Sequence, residues 1–245
     1  MRRMMTIALS VWAGVAGLAQ AQSIPAENPV IAENPVIIEL YTSQGCAACP
    51  PVDDYFATIA GREDVIALSL HVDYWDYIGW SDSFANPAFT KRQKGYARAA
   101  GTRSIFTPQL VIGGQDHVVG NKPAQIDALV RAHGAKQTGL RTVIERVGDV
   151  LTITATATPP LSEEASVQIV RYVPQATVAI ERGENAGRTV EYHNVVSSWV
   201  RLGTWPGGDR YAAEVAVSGN EPIVVIIQLA MSGGPGEILA AARLR

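Results

Sequence analysis

Hydrophobic periodicity in the first half of the chain predicts a mixture of strands and helices. Residues 36–41 are apolar on both faces apart from Glu39, which is typical of a buried strand in a parallel sheet. Between residues 52 and 59 the apolar positions recur at i, i+3, i+4 and i+7, which predicts an amphipathic helix that ends at Gly61. The same reasoning predicts a second strand, a second helix, a hairpin that turns at two glycines and a third helix, over residues 65–73, 86–101, 105–120 and 121–134.

The second half of the chain has the shorter periodicity of β-structure. Apolar runs alternate with turn clusters such as residues 183–187, and this spacing is typical of a β-sandwich. We therefore expect an α/β domain over residues 36–138 and a β-rich, sandwich-like domain over residues 139–245. The second domain carries no catalytic constellation, so we expect a docking or dimerisation module or a lid. Its strands are predicted at residues 142–147, 150–158, 166–173, 177–181, 189–196, 211–217 and 223–229.

The N-terminal 21 residues have the pattern of a secretory signal peptide. Arg2 and Arg3 precede a short apolar stretch, and Ala19-Gln20-Ala21 provides small residues for cleavage after Ala21. The apolar stretch is too short to span a membrane comfortably, so we expect no stable membrane insertion. The mature protein is predicted to be periplasmic or secreted, where disulfides persist. Residues 22–35 form a leader that contains most of a duplicated hexapeptide, AENPVI, to which we assign no function.

Charge argues against nucleic acid as a partner. The full chain of 245 residues has a net charge of −3, and without residues 1–21 it keeps 18 basic and 23 acidic side chains. The basic residues are not clustered, whereas nucleic-acid-binding proteins carry basic patches. With 47% hydrophobic residues the chain can bury one large core or two smaller ones.

The chemistry is expected at Cys46 and Cys49, which are the only cysteines in the sequence. They form a C-x-x-C motif between the first predicted strand and the first predicted helix. A thiolate of Cys46 would face free N–H groups and the positive end of that helix, so Cys46 is the candidate nucleophile and Cys49 the resolving thiol. No second C-x-x-C or H-x-x-x-H completes a zinc site. Redox exchange, copper-type metal binding and a static disulfide remain open.

Two polar residues on the strands are candidates for supporting roles. Glu39, if buried and unpaired, would have a raised pKa and could accept the proton of Cys49, but it could equally pair with an arginine or lie at a sheet edge. His71 ends the second predicted strand, at the same sheet edge as the cysteines. It could tune the thiols, serve with Cys46 and Cys49 as a copper ligand, or be a hydrogen-bonded core residue.

The order of elements around the C-x-x-C resembles that of the thioredoxin-like superfamily. That resemblance implies that Pro108 follows a cis peptide bond beside the thiol pair, and that Thr107 offers backbone hydrogen bonds to an extended peptide. Trp75 and Trp80, in the aromatic segment after the second strand, could line the same peptide groove or pack in the core.

Three strings also resemble an exported bacterial family, the domain-of-unknown-function family 1223. They are ELYTSQGCAACPP, LHVDYWDYIGW and ERGENAGRTVEYHNVV, and the resemblance covers nearly all of the mature chain. It implies a thioredoxin-like half followed by a β-rich half and brings no settled activity. We expect an exported thiol–disulfide oxidoreductase that acts on protein or peptide thiols and disulfides without an organic cofactor. The alternative is a copper-handling or partner-binding protein that uses Cys46, Cys49 and His71.

Overall fold

The computed structural model describes residues 30–31, 35–136 and 138–245. The expected signal peptide lies outside these residues, as does most of the leader. Within them are three α-helices, α1 (Pro50–Ala60), α2 (Pro87–Ala99) and α3 (Pro123–Gly134), close to the predicted positions. Each begins with proline, whose missing N–H costs nothing in the first turn. None of the helices in these ranges is long and apolar enough to cross a membrane.

The strands of the described ranges form two sheets. Their bounds are β1 (Val30–Ile31), β2 (Val36–Thr42), β3 (Val65–His71), β4 (Gln109–Ile112), β5 (Asp116–Val119), β6 (Leu140–Val147), β7 (Val150–Ala157), β8 (Ala165–Ala179), β9 (Thr189–Trp205), β10 (Tyr211–Ala216), β11 (Ile223–Met231) and β12 (Gly234–Leu244). The two runs predicted at 166–173 and 177–181 are parts of one long strand, β8, and β9 extends nine residues beyond its prediction.

The large sheet is mixed and has the strand order β12-β11-β8-β9-β3-β2-β4-β5. Strand β2 is parallel to β3 and antiparallel to β4, which pairs in turn with β5. Helix α2 covers one face, where Phe89 and Tyr96 pack against side chains of β2, β3 and β11. Helices α1 and α3 cover the other face beside β2 and β4, through Phe56 and Ile126.

One short junction makes the large sheet continuous across the two halves of the chain. Ser69 of β3 pairs in parallel with Val195 of β9. Next to it, Asn194 has a φ of 50°, and its side-chain amide donates hydrogen bonds to the carbonyls of Ala60 and Ala67. Asparagine tolerates this left-handed conformation better than most residues. The β-rich half is therefore joined to the α/β half by a strand pair.

The smaller sheet has the order β1-β6-β7-β10 and packs on the face of β8, β11 and β12 that α2 leaves free. Its Ile144 and Ile153 are fully buried there with Val225 and Ile227 of β11. Strand β1 comes from the leader, so the first copy of the hexapeptide adds a strand to this sheet while the second copy leads into β2. The leader thus takes part in the fold, which its sequence did not indicate.

Candidate functional site

The C-x-x-C loop, residues 43–49, follows β2 and leads into α1. Its turns are closed by backbone hydrogen bonds from Cys46 to Ser43 and from Cys49 to Cys46. Cys46 and Cys49 form a disulfide with a Cα–Cα distance of 5.4 Å, an ordinary separation for such a bond. Cys46 is 1% exposed and Cys49 is 0% exposed. The two sulfurs are thus covered by the rest of the protein.

The first turn of α1 differs from the sequence-based expectation. Pro50 and Pro51 have no N–H groups, and the N–H groups of Val52 and Asp53 both donate to the carbonyl of Cys49. In residues 50–53 no N–H group therefore remains free for a sulfur atom. A Cys46 thiolate at this position would be stabilised by the aligned peptide dipoles of the helix, and not by direct hydrogen bonds from its first turn.

The aromatic loop, residues 74–84, covers the C-x-x-C loop from one side. Gly45 lets it approach closely, since a Cβ there would lie 3.2 Å from the Cβ of Trp75. The indole N–H of Trp80 donates to Gln44 Oε1 at 2.7 Å, and the indole N–H of Trp75 donates to Thr107 Oγ1 at 2.7 Å. The structure thus brings both predicted tryptophans to the C-x-x-C region, and Trp75 links it to Thr107.

The Thr107–Pro108 segment lies at the start of β4. Its peptide bond is cis, as expected from the resemblance to the thioredoxin-like superfamily. The carbonyl of Pro108 accepts a hydrogen bond from the N–H of Gly120, the residue that follows β5. The segment is therefore held at the open end of the β4–β5 hairpin. The hydroxyl of Thr107 accepts the hydrogen bond from the indole N–H of Trp75.

The β8–β9 turn, residues 180–188, reaches the site from the β-rich half. Asn185 is buried there, and its side-chain amide donates to the carbonyls of Gln44 and Cys46, both at 2.9 Å. Asn185 belongs to one of the strings that carry the family resemblance, yet its contact with a loop some 140 residues earlier could not be seen in the sequence. The β-rich half thus contributes a residue to the C-x-x-C site.

Glu39 is not brought together with the cysteines. It lies on the α2 face of the sheet, where Arg92 binds both its carboxylate oxygens at 2.7 Å and the hydroxyls of Tyr41 and Tyr96 also donate to it. Burial is the largest single influence on the pKa of Arg92 and lowers it, but the charge and hydrogen bond of Glu39, together with Tyr96 and Tyr41, outweigh burial and raise the pKa. Of the roles considered for Glu39, this geometry matches pairing with an arginine. It does not fit a proton acceptor for Cys49, because both carboxylate oxygens already accept hydrogen bonds and the side chain lies on the face of the sheet opposite α1.

His71 is a buried core residue bound to an acid. Its Nδ1 lies 2.7 Å from Oδ2 of Asp82, which also accepts from the N–H of Gln44. Its ring packs edge-on against Phe84 and Tyr192, and its Nε2 has no hydrogen-bond partner among the described residues. No group of three or more His, Cys, Asp or Glu side chains in this part of the chain is arranged to hold a metal ion.

Asp53 is a further residue of the site that the sequence did not reveal. Oxygen Oδ1 accepts a hydrogen bond of 2.8 Å from the hydroxyl of Thr42, whereas Oδ2 is buried without a described partner. Burial raises the pKa of Asp53 well above its usual value, the Thr42 hydrogen bond opposes this, and the charges of Asp54 and Asp82 add to it. The first turn of a helix normally favours a charged carboxylate, so burial outweighs the helix dipole here.

The fold and the site define a mixed α/β protein with a covered disulfide at the start of a helix. The chain belongs to the family described as "Protein of unknown function (DUF1223)", whose model matches residues 37–228, and this confirms the family resemblance. It is also similar to a structural-genomics protein from Agrobacterium tumefaciens known from an X-ray crystal structure. That protein is 30% identical, the match covers 85% of this chain and 93% of the other, and the TM-score is 0.74. No curated protein matches the chain.

Proposed function

We propose that this protein is an exported thiol–disulfide oxidoreductase that acts on protein or peptide thiols and disulfides through Cys46 and Cys49. The observation that carries the proposal is the position of the disulfide, directly after β2 and at the N terminus of α1. The strand order β3-β2-β4-β5, with α1 between β2 and β3, supports a thioredoxin-like first half. The small sheet against β8, β11 and β12 supports a sandwich-like second half. Export rests on the signal-peptide pattern of residues 1–21.

The surroundings of the disulfide favour exchange over a static crosslink. Asp53 Oδ2, His71 Nε2 and Asn185 Oδ1 are buried without partners in the described part of the chain, and all three residues belong to the C-x-x-C region. Unpaired buried polar atoms cost free energy and are rare in folded proteins. Three of the six such side-chain atoms among the described residues lie in this region, which favours a functional site because a static crosslink needs none of them.

The exchange reaction follows from the arrangement of the two sulfurs. In the reduced protein, the thiolate of Cys46 attacks a substrate disulfide, and the substrate's leaving sulfur departs as a thiolate that takes up a proton. Cys49 then loses its proton and attacks Cys46 Sγ in the mixed disulfide. The Cys46–Cys49 bond forms, and the second substrate sulfur leaves as a thiol. The same steps in reverse oxidise a substrate dithiol, and the pair is recycled by a thiol or disulfide partner of the opposite redox state.

The site must open before a protein substrate can reach Cys46, because Cys46 is 1% exposed in this disulfide-bonded structure. Asn185 holds the β8–β9 turn on the C-x-x-C loop by two hydrogen bonds, each worth about 1 kcal/mol. We expect Asn185→Ala to speed reduction of the disulfide by dithiothreitol about 10-fold, measured by alkylation of the released thiols. Asn220→Ala, an exposed asparagine, is the control. An unchanged rate for Asn185→Ala would show that the turn does not limit access.

The reduction potential of the pair tests the proposed function. Mature protein is equilibrated in glutathione buffers, and free thiols are counted after acid quenching. A value between about −120 and −230 mV is the range of exchange catalysts and supports the proposal. A value below about −300 mV is that of a structural disulfide and contradicts it.

Single cysteine variants test the roles of the two sulfurs. Reduced Cys49→Ser is expected to form a persistent mixed disulfide with glutathione when treated with glutathione disulfide, because Cys46 attacks and no resolving thiol follows. Cys46→Ser is the matched control and is expected to form little adduct, because the proposal gives the attack on an external disulfide to Cys46 and leaves Cys49 only the resolving step. Mass spectrometry distinguishes the two. The reverse pattern would assign the nucleophile to Cys49.

A further inference from the structure

We propose that Asp53 is the group that exchanges a proton with Cys49 when the disulfide opens and closes. This inference rests on the proposed function. The pairing of Glu39 with Arg92 leaves Cys49 without the acceptor that the sequence indicated. We propose Asp53 in place of Glu39; it lies on a different element, helix α1, whose N-cap residue is Cys49.

The geometry places the two residues on one helix face. Cys49 caps α1 with helical dihedral angles, φ −78° and ψ −40°, and the N–H of Asp53 donates to its carbonyl at 3.0 Å. Side chains at i and i+4 of a helix lie next to each other. Both residues are buried, so few other groups can take or supply the proton of Cys49. The Thr42 hydroxyl fixes Oδ1 of Asp53 and leaves Oδ2 unoccupied.

The charges around Asp53 favour its protonated form. Among the described residues, the two charges that act on it are negative: Asp54 on its own helix and Asp82 in the aromatic loop. From β9 it is approached by Tyr192, whose pKa is raised by burial and then by Asp53 and Asp82. His71 of β3 is engaged by Asp82. No cation offsets the burial of Asp53 among these groups, so burial and the two negative charges hold its pKa well above the usual range.

The proton and electron balance of opening is complete with this group. A substrate thiolate attacks Cys46 Sγ, and the electrons of the breaking S–S bond move to Cys49 Sγ. Asp53 gives its proton to that sulfur and becomes a carboxylate, which it remains while Cys49 is a thiol. In closing, the Asp53 carboxylate removes the proton of Cys49 as Cys49 attacks the mixed disulfide on Cys46. The charge on Asp53 therefore exists while Cys49 is a thiol and is lost when the Cys46–Cys49 disulfide closes.

The test compares Asp53→Asn with Asp54→Asn, since Asp54 is the exposed neighbour on the same turn. Each reduced protein is mixed with glutathione disulfide, and the mixed disulfide on Cys46 is followed by acid quenching and mass spectrometry. We expect Asp53→Asn to slow its resolution on the order of 10²-fold near neutral pH, the usual contribution of a general base. The deficit should shrink as pH rises, because hydroxide then removes the proton. Asp54→Asn keeps Asp53 and removes only a smaller contribution to its raised pKa, so it should slow the resolution far less than Asp53→Asn does.

The outcomes separate this inference from the proposed function. Wild-type protein that forms no mixed disulfide contradicts the proposed function itself. Wild-type protein that resolves the adduct, with Asp53→Asn equally fast at every pH, overturns the role of Asp53 alone. A second measurement needs no variant: the infrared difference spectrum between oxidised and reduced wild-type protein should show a change in a protonated carboxyl band. A spectrum without such a change also overturns the inference.

Discussion

Two buried acidic residues, Glu39 and Asp53, lie on opposite faces of the large sheet and differ in their hydrogen-bond partners. Glu39, on the α2 face, receives hydrogen bonds from Arg92, Tyr41 and Tyr96, and both its oxygens are occupied. Asp53, on the α1 face, has one hydroxyl partner and one oxygen without any. Removing one partner of a compensated buried pair is costly, whereas an uncompensated buried acid lowers stability and takes up a proton more readily. Such perturbed acids cluster at functional sites. Burial alone does not tell a structural acid from a reactive one; the partners do.

The largest effect on stability is expected from removing Arg92, the cation that pairs with Glu39. Arg92→Met leaves Glu39 fully buried and without its counter-charge, which should lower the free energy of unfolding by about 3–5 kcal/mol. Lys94→Met removes an exposed positive charge from the same helix and should change it by less than about 0.5 kcal/mol. Chemical denaturation of both oxidised proteins measures the difference. A loss below about 1 kcal/mol for Arg92→Met would show that the pair contributes little net stability.

A smaller loss is expected when the acid of the same pair is neutralised. Glu39→Gln keeps the side-chain shape but leaves Arg92 without its partner charge. Arg92 is 11% exposed and stacks on the ring of Trp199 at 3.8 Å, so it tolerates this better than Glu39 tolerates the reverse. We expect a loss of about 1.5–3 kcal/mol, the worth of hydrogen bonds to charged groups, with exposed Glu63→Gln as control. Thiol exchange by folded Glu39→Gln should stay at the wild-type rate, and a slowed rate would return Glu39 to the reaction.

The corresponding substitution at the other acid, Asp53→Asn, should raise the free energy of unfolding instead of lowering it. The folded protein holds the proton of Asp53 more tightly than the unfolded chain, because its pKa is raised by burial. Wild-type stability therefore falls as pH rises from about 3.9, the unfolded value, through the raised value, by up to about 1.4 kcal/mol per pH unit. Asp53→Asn does not titrate and escapes this loss. Denaturation at several pH values should show its advantage growing through that window and then levelling off; an advantage that is constant with pH would contradict the raised pKa.

Much of the first half was predictable because local patterns and tertiary packing agree there. The proline starts of the helices, the apolar spacing from Val52 onward and the turn at Gly113 and Gly114 each specify one local structure. Strand β12 was missed because its alanine-rich sequence has high helix propensity. Pairing with β11 along its length overrides that propensity.

Within the candidate site, the sequence predicted the cysteine pair but not the long-range contacts of the side chains around it. The spacing of Cys46 and Cys49 is local and visible in the sequence. The partner of Glu39 is 53 residues away, and Asn185 is 139 residues from Cys46, so neither contact leaves a local pattern. Asp53 looks like an ordinary acidic residue in a helix first turn, where the dipole would favour its charge. Its burial beside Thr42 and Tyr192 is a tertiary effect.

The smallest effect is expected at Thr42, the single described hydrogen-bond donor to Asp53. Thr42→Val keeps the side-chain shape and removes the hydroxyl, which should lower the free energy of unfolding by about 1 kcal/mol while Asp53 is protonated. The loss should roughly double at a pH where Asp53 is ionised, because a bond to a charged acceptor is stronger. Thr58→Val, which removes an exposed hydroxyl bonded to the Tyr55 carbonyl, is the control and should show no such rise. A pH-independent loss for Thr42→Val would mean that Asp53 keeps one protonation state throughout, and Asp53 would then be structural in the same sense as Glu39.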